Sequence, residues 1–246
     1  MDKTLRIATQ NINWGGEPSA PGCDGGPRLV RLVPLLVKLD SDVLVLTEFK
    51  SGVLGDELRE RLAQMGYMHF LSHPQAPNCL GTAIASRRPI TPAELPVPSA
   101  TEPWRSLGIA VSGIEIFGFY FPLREAKSLY WDWLLNNAAL LADRNILLLG
   151  DFNTGRIRID EAGETFDCQD QHEKLEQLGF TDTWRSAYPK GRDYTWYSSS
   201  GNGFRLDYIW ASPRLAPAIQ RIWHDHDARI TLSTDHSTVI ADVLMT

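Results

Sequence analysis

The sequence predicts a single α+β domain over residues 1–246, in which two packed sheets are flanked by helices. Short apolar strands recur along the chain, and the clearest are 5–12, 42–47 and 145–149. Segments with helical spacing lie between them, of which 125–143 is the clearest amphipathic helix. No repeat or low-complexity linker divides the chain, whose length is ordinary for one layered domain. Interspersed strands and helices of this kind bury their apolar faces by packing sheet on sheet and helix on sheet.

The first half of the chain contains two further expected helices, at 28–39 and 55–65. The first contains Pro34, which should kink or shorten it because proline has no N–H to donate. The second has acidic residues early and Gly66 after its end, as helix termini favour. Residues 14–27 are rich in Gly and Pro and are expected to form a loop. The other strands expected in this half are 67–71, 81–87, 107–112 and 114–121.

The second half mixes short strands with few long helices. The segment 171–178 should be helical, and strands are expected near 194–198, 205–211 and 237–244. Together with the strand at 145–149, they complete the expected pair of sheets.

Composition narrows the class of protein. The net charge is −6 and the pI is about 5.5, which argues against tight DNA binding by charge alone. The same charge is compatible with an enzyme that carries a metal cation. The three cysteines, Cys23, Cys79 and Cys168, are far apart, so neither a zinc site nor a disulfide framework is indicated, and a reduced compartment fits. With no signal-peptide core and no membrane-length apolar stretch, a soluble cytoplasmic protein is expected.

Polar residues end the apolar strands in a recurring pattern. Asn11, Glu48 and Asp151 each follow a buried run, and Asp207 and the Asp235-His236 pair repeat the theme. One such residue is ordinarily a turn residue, but a carboxylate beside an apolar core costs free energy unless it is paired or binds a metal. Oxygen-rich clusters favour Mg²⁺ or Mn²⁺. No P-loop, serine-hydrolase elbow or HExxH motif is present, so oxygen-bound metal chemistry remains.

Six segments carry a resemblance to a known family. They are QNIN (10–13), LTEF (46–49), FYFP (119–122), GDFN (150–153), RLDY (205–208) and TDHS (234–237). In this order they resemble the endonuclease/exonuclease/phosphatase superfamily. The tyrosine of FYFP, with FTDTWR (180–185), YTWYS (194–198) and AIASRRP (83–89), resembles the exonuclease III and abasic-site endonuclease branch. The resemblance implies a four-layer α/β/β/α sandwich of two mostly antiparallel sheets.

The resemblance also implies a metal site. Glu48 would be the principal Mg²⁺ ligand, with Mn²⁺ as a substitute and Asn11 nearby. Asp235 is open between metal ligand and structural support. Without the resemblance, Glu48 could equally cap a helix or pair with Lys50.

The reacting groups follow from the same resemblance. Asp151 would orient or deprotonate the attacking water, and Asn153 would hold the phosphate as an amide donor. His236 would donate to a phosphate oxygen, with Asp207 fixing its tautomer and charge. Tyr120 would touch the phosphate or the leaving oxygen. The plain alternatives are a turn at Asp151, a surface His236 and a packed Tyr120.

Four residues are assigned to substrate binding: Asn13, Trp196, Phe204 and Arg156. The aromatic residues, with Trp104 and Tyr197, could stack on bases or sugars, although packing explains them as well. Arg87, Arg88, Arg156 and Arg158 are open between a phosphate-facing rim and a solvated face. His69, His73, His172, His224 and His226 receive no role. The His224-x-His226 spacing resembles a metal pair, but solvated loop residues are the favoured interpretation.

Three functional hypotheses follow. The first is a Mg²⁺-dependent phosphodiester hydrolase, a DNA nuclease of the exonuclease III or abasic-site type, which cleaves by in-line attack of water. The second is a metal-dependent phosphatase or phosphodiesterase for a small molecule or lipid head group, which the acidic pI favours. The third, a non-catalytic binding module, is disfavoured by the intact motifs. A monomer that binds nucleic acid and neither a membrane nor an obligate protein partner is expected.

Overall fold

The computed structural model describes residues 4–13, 28–76, 79–93 and 102–245. Fourteen strands are defined in this part of the chain. They are β1 Thr4–Asn11, β2 Val43–Phe49, β3 His69–Ser72, β4 Gly81–Ser86, β5 Thr91–Pro92, β6 Ser106–Val111, β7 Ile114–Tyr120, β8 Ile146–Asp151, β9 Thr181–Asp182, β10 Trp196–Tyr197, β11 Gly203–Phe204, β12 Asp207–Ala211, β13 Ile219–Asp225 and β14 Thr238–Leu244. The α-helices are α1 Arg28–Lys38, α2 Val53–Gln64, α3 Ser128–Leu141, α4 Asp170–Gln177, α5 Thr183–Ala187 and α6 Asp227–Ile230.

Two six-stranded sheets form the centre of the protein. Their strand orders are β13-β14-β1-β2-β4-β3 and β5-β6-β7-β8-β12-β9, and β10 and β11 form a separate ribbon. Within each sheet one neighbouring pair is parallel, β1 with β2 and β7 with β8, and the other pairs are antiparallel. The expected mostly antiparallel sheets are therefore confirmed.

Side-chain alternation along the strands divides the core into three layers. One face of each sheet packs on the other sheet, with Val43 and Val45 of β2 in the same cluster as Leu147 and Leu149 of β8. The opposite face of β2 packs on α1 and α2, and the opposite face of β8 packs on α3 and α4. Because neighbouring residues of a strand point to opposite faces, near-continuous apolar runs can serve both layers. The four-layer α/β/β/α sandwich is confirmed.

Two sequence expectations differ from the structure. The helix at 28–39 is continuous through Pro34, whose ring is exposed to solvent, so the proline neither ends nor shortens it. β13 was not expected, because only Ile222 of its seven residues is buried and its sequence lacks an apolar run. It pairs at the sheet edge with β14. Among the described residues no helix is both long and apolar enough to cross a membrane.

Candidate active site

Three side chains form a row across the second sheet. In the pairing registers, Tyr120 at the end of β7 lies opposite Asp151 at the end of β8. Asp151 in turn lies opposite Asp207 at the start of β12. Residues directly opposite each other share a face of the sheet, so the three polar side chains lie on the same face at one end of these strands. This register explains why the polar residues at these strand ends lie close together.

The first sheet contributes Glu48 and Asn11. The pairing of β2 with β4 shifts register between Thr47 and Phe49, which is a β-bulge at Glu48. Glu48 itself has φ of 55°, a conformation that costs a non-glycine residue about 1 kcal/mol or more. The amide Nδ2 of Asn11 donates to Glu48 Oε1 at 3.1 Å and to Asp151 Oδ2 at 3.0 Å. Asn11 therefore links the two sheets at the point where their carboxylates meet.

His236 and Asp207 form a buried pair. His236 Nδ1 lies 2.8 Å from Asp207 Oδ2, as the sequence interpretation expected. Side-chain nitrogen or oxygen atoms of Asp151, Asp207 and His236 all lie within 4.8 Å of one another. The second oxygen of Asp207, Oδ1, is buried and has no hydrogen-bond partner among the described residues.

Asp235 is held from two sides. Asn13 Nδ2 donates to its Oδ1 at 2.8 Å, and the indole Nε1 of Trp196 donates to its Oδ2 at 3.0 Å. Both oxygens are thus engaged within the protein. This contact pattern suits structural support better than metal ligation, and it also fixes the orientation of the Trp196 ring.

Asn153 follows Asp151 in a left-handed turn, with φ of 49°. Its backbone N–H donates to Asp151 Oδ1 at 2.9 Å, and its side-chain Nδ2 donates to the carbonyl of Phe121 at 2.8 Å. Its own carbonyl accepts a hydrogen bond from Lys127 Nζ at 2.6 Å. The turn therefore ties the end of β8 to the segment that follows β7. One hydrogen of the Asn153 amide remains for a ligand.

Several of these groups line a pocket of about 390 Å³, whereas Asn11, Asn13 and Asp207 are not among its lining residues. Its lining residues are Glu48, Tyr120, Leu123, Arg124, Lys127, Asp151, Asn153, Thr165, Phe166, Asp167, Trp196, Phe204, Leu206, Asp235 and His236. Polar groups from both sheets face an aromatic wall, where the Phe204 ring lies 5.6 Å from both Trp196 and Phe166. A second groove of about 370 Å³ lies between α5 and β13, but Arg221 is the one charged residue on its described lining.

The electrostatics of the pocket reflect crowded negative charge. Burial and the charge of Asp207 raise the pKa of Asp151 to about 8. Burial likewise raises the pKa of Glu48, although the hydrogen bond from Asn11 acts in the opposite direction. Burial also raises the pKa of the Tyr120 hydroxyl. For His236, burial lowers the pKa, but the charge and hydrogen bond of Asp207 outweigh it and raise the pKa to about 10. The imidazole is therefore cationic at neutral pH.

The donor set fits a hard divalent cation. Glu48 and Asp151 face one another across Asn11, their carboxyl pKa values are raised by burial, and Asp207 Oδ1 lacks a partner within the described residues. A cation would lower these pKa values and satisfy the free acceptor. Oxygen donors with a single imidazole favour Mg²⁺ or Mn²⁺ over zinc.

Some residues singled out from the sequence lie elsewhere. Arg156 does not line the pocket, because its guanidinium pairs with Glu176. The other candidate rim arginines are also paired, and Trp104 and Tyr197 are not part of the pocket lining. Lys127, which does line the pocket, was missed, since a lone lysine at the start of an amphipathic helix normally indicates a solvated position.

His224 is not a solvated loop residue, whereas His226 lies in the short connection between β13 and α6 and is partly exposed. His224 lies in β13 with a fully buried side chain, stacks on Trp184 and bonds to Asp193 at 3.0 Å. His226 contacts the other oxygen of Asp193 at 3.2 Å and the hydroxyl of Ser237 at 2.8 Å. Asp193 thus joins the two histidines, and burial and this acceptor explain their placement.

Comparison with known proteins supports a common architecture. A 3′ phosphatase, NExo from Neisseria, solved with a product DNA hairpin, is 25% identical with a TM-score of 0.80, covering 97% of this chain and 99% of that one. An AP endonuclease from Archaeoglobus fulgidus is 25% identical with a TM-score of 0.75, covering 96% and 98%. Recombination repair protein 1 of Drosophila melanogaster is 31% identical over 111 residues, which are 38% of this chain and 16% of that protein's length.

The model of the Endonuclease/Exonuclease/phosphatase family matches residues 8–236. That range includes Asn11, Glu48, Asp151, Asp207 and His236, the polar groups that meet where the strands of the two sheets end. The chain is a phosphoesterase hydrolase that belongs to the endonuclease/exonuclease/phosphatase family, with exonuclease III and AP-endonuclease-like enzymes as its structural neighbours.

Proposed function

We propose that the protein is a Mg²⁺-dependent DNA nuclease of the exonuclease III or abasic-site endonuclease type. The observation that carries the proposal is the meeting of Glu48, Asp151 and His236 in one pocket beside an aromatic wall, with Asp207 hydrogen-bonded to His236. Hydrolysis of a phosphodiester depends on positioning and charge stabilisation, which is what this arrangement supplies.

Water attacks the phosphorus in line with the leaving oxygen. Asp151 accepts a hydrogen bond from that water and takes its proton, and the backbone N–H of Asn153 holds the carboxylate in place. The cationic His236, oriented by Asp207, donates to a non-bridging oxygen. The Tyr120 hydroxyl, 3.4 Å from Glu48 Oε1, donates to the phosphate or the leaving oxygen.

Glu48 is the principal candidate to hold a divalent cation, with Asp151 and Asn11 beside it. The bound ion would supply Lewis acidity and stabilise charge on the leaving oxygen. Glu48 lies at the β-bulge in the left-handed conformation, so the position of its carboxylate comes at a cost in backbone strain.

The substrate is nucleic acid, with DNA favoured. Trp196, Phe204 and Phe166 line the pocket, and aromatic rings are groups on which a sugar or base can stack. The similar solved proteins are named as an AP endonuclease, a 3′ phosphatase and a 3′-5′ exonuclease, and one of them was solved with DNA.

The proposal is tested with a substrate panel under Mg²⁺, Mn²⁺ or EDTA. The panel contains duplex DNA with an abasic site, a recessed 3′ end, single-stranded DNA, RNA and bis(p-nitrophenyl) phosphate. Cleavage of a duplex substrate that requires Mg²⁺ and falls about 10³-fold in Asp151→Asn is expected. Asp132→Asn, an exposed carboxylate on α3, is the matched control and should keep wild-type activity. DNA left intact by excess enzyme would exclude the nuclease.

A second candidate is a phosphatase or phosphodiesterase for a small molecule or lipid head group. The acidic net charge of −6 favours it, because the protein lacks a general attraction for polyanions. Release of inorganic phosphate from small monoesters, with every DNA and RNA substrate intact, would select this alternative.

A further inference from the structure

Gln10 is a fully buried amide next to the candidate active site, and no step of the proposed reaction uses it. Ala8 and Ile12, two residues before and after it in the chain, pack in the apolar layer beneath α1 and α2. Alternation along β1 places Gln10 on the same face. A buried amide costs free energy unless its donors and its acceptor are hydrogen-bonded, so its partners indicate why it is there.

The amide of Gln10 bridges two segments of backbone. Its Nε2 donates to the carbonyl of Asn11 at 2.7 Å and to the carbonyl of His236 at 3.1 Å. Its Oε1 accepts a hydrogen bond from the hydroxyl of Thr238. Carbonyl oxygens can only accept, so the NH₂ group must face them, and this defines the orientation of the amide. Both hydrogens of the amide are therefore used to hold backbone.

This bridge lies where two strands separate. The pairing of β1 with β14 ends at Thr9 and Val239, whereas His236 lies two residues before β14 begins. The backbone of His236 is therefore outside the ladder that joins β14 to β1. On its other side it pairs with Trp196 in an isolated bridge. The amide of Gln10 thus ties His236 to β1 beyond the end of the ladder.

Thr234 adds a second connection between the same segments. Its hydroxyl donates to the carbonyl of Asn11 at 2.7 Å and accepts from the backbone N–H of His236 at 3.3 Å. The side chain of Asn11 in turn donates to the carboxylates of Glu48 and Asp151. A continuous set of hydrogen bonds therefore connects these two carboxylates with the backbone of the histidine.

The placement of the imidazole relative to the carboxylates matters for the reaction, because a misplacement of about 1 Å can lower a rate about 100-fold. In the proposed mechanism His236 donates to the phosphate, while Glu48 and Asp151 serve the ion and the attacking water. We propose that Gln10 is a positioning residue, whose amide holds His236 in register with these carboxylates. Gln10 does not itself line the pocket, so it acts through His236. The inference rests on the proposed function and adds a residue to its machinery.

Steady-state kinetics on a duplex with an abasic site test this role. Gln10→Met keeps the length of the side chain and removes the amide. It should lower kcat about 10- to 100-fold, because His236 loses its fixed position. KM and Mg²⁺ affinity should change less than about 3-fold, because Gln10 lies outside the pocket. Thr183→Val is the matched control, since it removes a buried hydroxyl that donates to the carbonyl of Ile209 at 2.6 Å, and it should keep wild-type kcat.

An unchanged kcat in Gln10→Met, or an equal fall in Thr183→Val, would overturn the proposal. A loss of Mg²⁺ affinity as large as the loss of kcat would also overturn it, because Gln10 would then act through Asn11 and the metal side of the site. Gln10→Asn, whose amide is one methylene shorter and cannot span both carbonyls, takes the place of the methionine variant if that variant does not fold.

A double-mutant cycle separates positioning of His236 from a general loss of order. Two residues that act through one another have non-additive effects, whereas independent effects multiply. In a His236→Ala background, Gln10→Met should therefore lower kcat less than about 3-fold. The same fall in both backgrounds would show that Gln10 does not act through His236.

A measurement without substrate separates this inference from the proposed function. The proton on His236 Nδ1, hydrogen-bonded to Asp207, is followed by NMR as it exchanges with solvent. Exchange should be at least about 10-fold faster in Gln10→Met than in wild type or Thr183→Val, because the segment opens more readily. Equal exchange in all three proteins would show that His236 is held without Gln10. If wild type hydrolyses no substrate, the proposed nuclease fails, while this exchange rate still decides whether Gln10 holds His236.

Discussion

At the scale of single residues, the site holds groups that oppose folding. Asp151 is almost fully buried next to Asp207, and its pKa is raised to about 8. Its ionised form is therefore disfavoured in the metal-free protein. A metal ion would reverse the balance, so binding should release a proton near neutral pH. Residues selected for chemistry commonly lower stability in this way.

The raised pKa of Asp151 predicts how the free energy of unfolding depends on pH. The pKa of Asp151 is higher in the folded protein than in the unfolded chain, where it is about 3.9. The stability that the protonated Asp151 carboxyl contributes is therefore fully present below about pH 4 and is lost as the pH rises towards 8. Asparagine does not ionise, so Asp151→Asn does not lose stability in this way. In EDTA the variant should therefore become increasingly more stable than wild type between pH 5 and 8.

The measurement is the free energy of unfolding in urea at several pH values, for wild type and Asp151→Asn. Asp132→Asn controls for the removal of an exposed carboxylate. Curves for wild type and Asp151→Asn that run parallel across this range would show that the Asp151 carboxyl is not strained.

At the scale of secondary-structure elements, β2 places its ligand through strain. Glu48 lies at a bulge with φ of 55°, which glycine adopts freely. Glu48→Gln keeps this strain and Glu48→Gly relieves it, while both remove the carboxylate. The glycine variant should therefore be more stable than the glutamine variant by about 1 kcal/mol.

Both variants should bind Mg²⁺ at least tenfold more weakly than wild type, as calorimetry can measure. A glycine variant less stable than the glutamine variant would mean that the left-handed conformation is not strained. Mg²⁺ binding retained in both would remove Glu48 from the metal site.

The helix α1 provides a prediction away from the site. Pro34 lies in its interior on the exposed side, where it removes a backbone hydrogen bond. Pro34→Ala should raise the free energy of unfolding by about 1–3 kcal/mol and leave phosphoesterase kinetics unchanged. An unchanged or lower stability in urea titration would indicate that the helix already accommodates the proline.

At the scale of the whole molecule, the sequence predicts the architecture better than the details. Apolar runs such as 145–149 identify the central strands because both of their faces are buried. Edge elements such as β13 carry no such signal, since most of its residues are not buried. The row of Tyr120, Asp151 and Asp207 depends on register, which strand patterns do not define.

Lys127 and the His224–His226 pair escaped prediction for a related reason. Their environments are made by segments distant in sequence, the Asn153 turn and Asp193. Local composition suggests solvated residues in both cases. Similarly, the pairing of Arg156 with Glu176 is a tertiary contact that its neighbours in sequence do not indicate.

The distribution of charge over the molecule leads to the last prediction. Most arginines of the described residues are paired with carboxylates. Examples are Arg6, Arg61, Arg87, Arg88, Arg105, Arg144, Arg156 and Arg158. In the pocket, by contrast, the cationic lining residues are Arg124, Lys127 and His236. DNA should therefore be held at few phosphates, with metal and shape complementarity supplying the remaining affinity.

Each neutralised phosphate of duplex DNA contributes about −0.9 to the slope of log affinity against log salt. Three cations therefore imply a slope of about −3. The slope is to be measured from the binding of DNA to the Asp151→Asn protein between 50 and 200 mM KCl at constant Mg²⁺. In the same Asp151→Asn protein, Lys127→Met should make the slope shallower by about 1. Lys174→Met, at an exposed lysine of α4 that pairs with Asp170, should leave it unchanged. A slope steeper than about −6 for Asp151→Asn would require a wider basic surface than these residues provide, and DNA would then be bound by charge along its backbone rather than at the reacting phosphate.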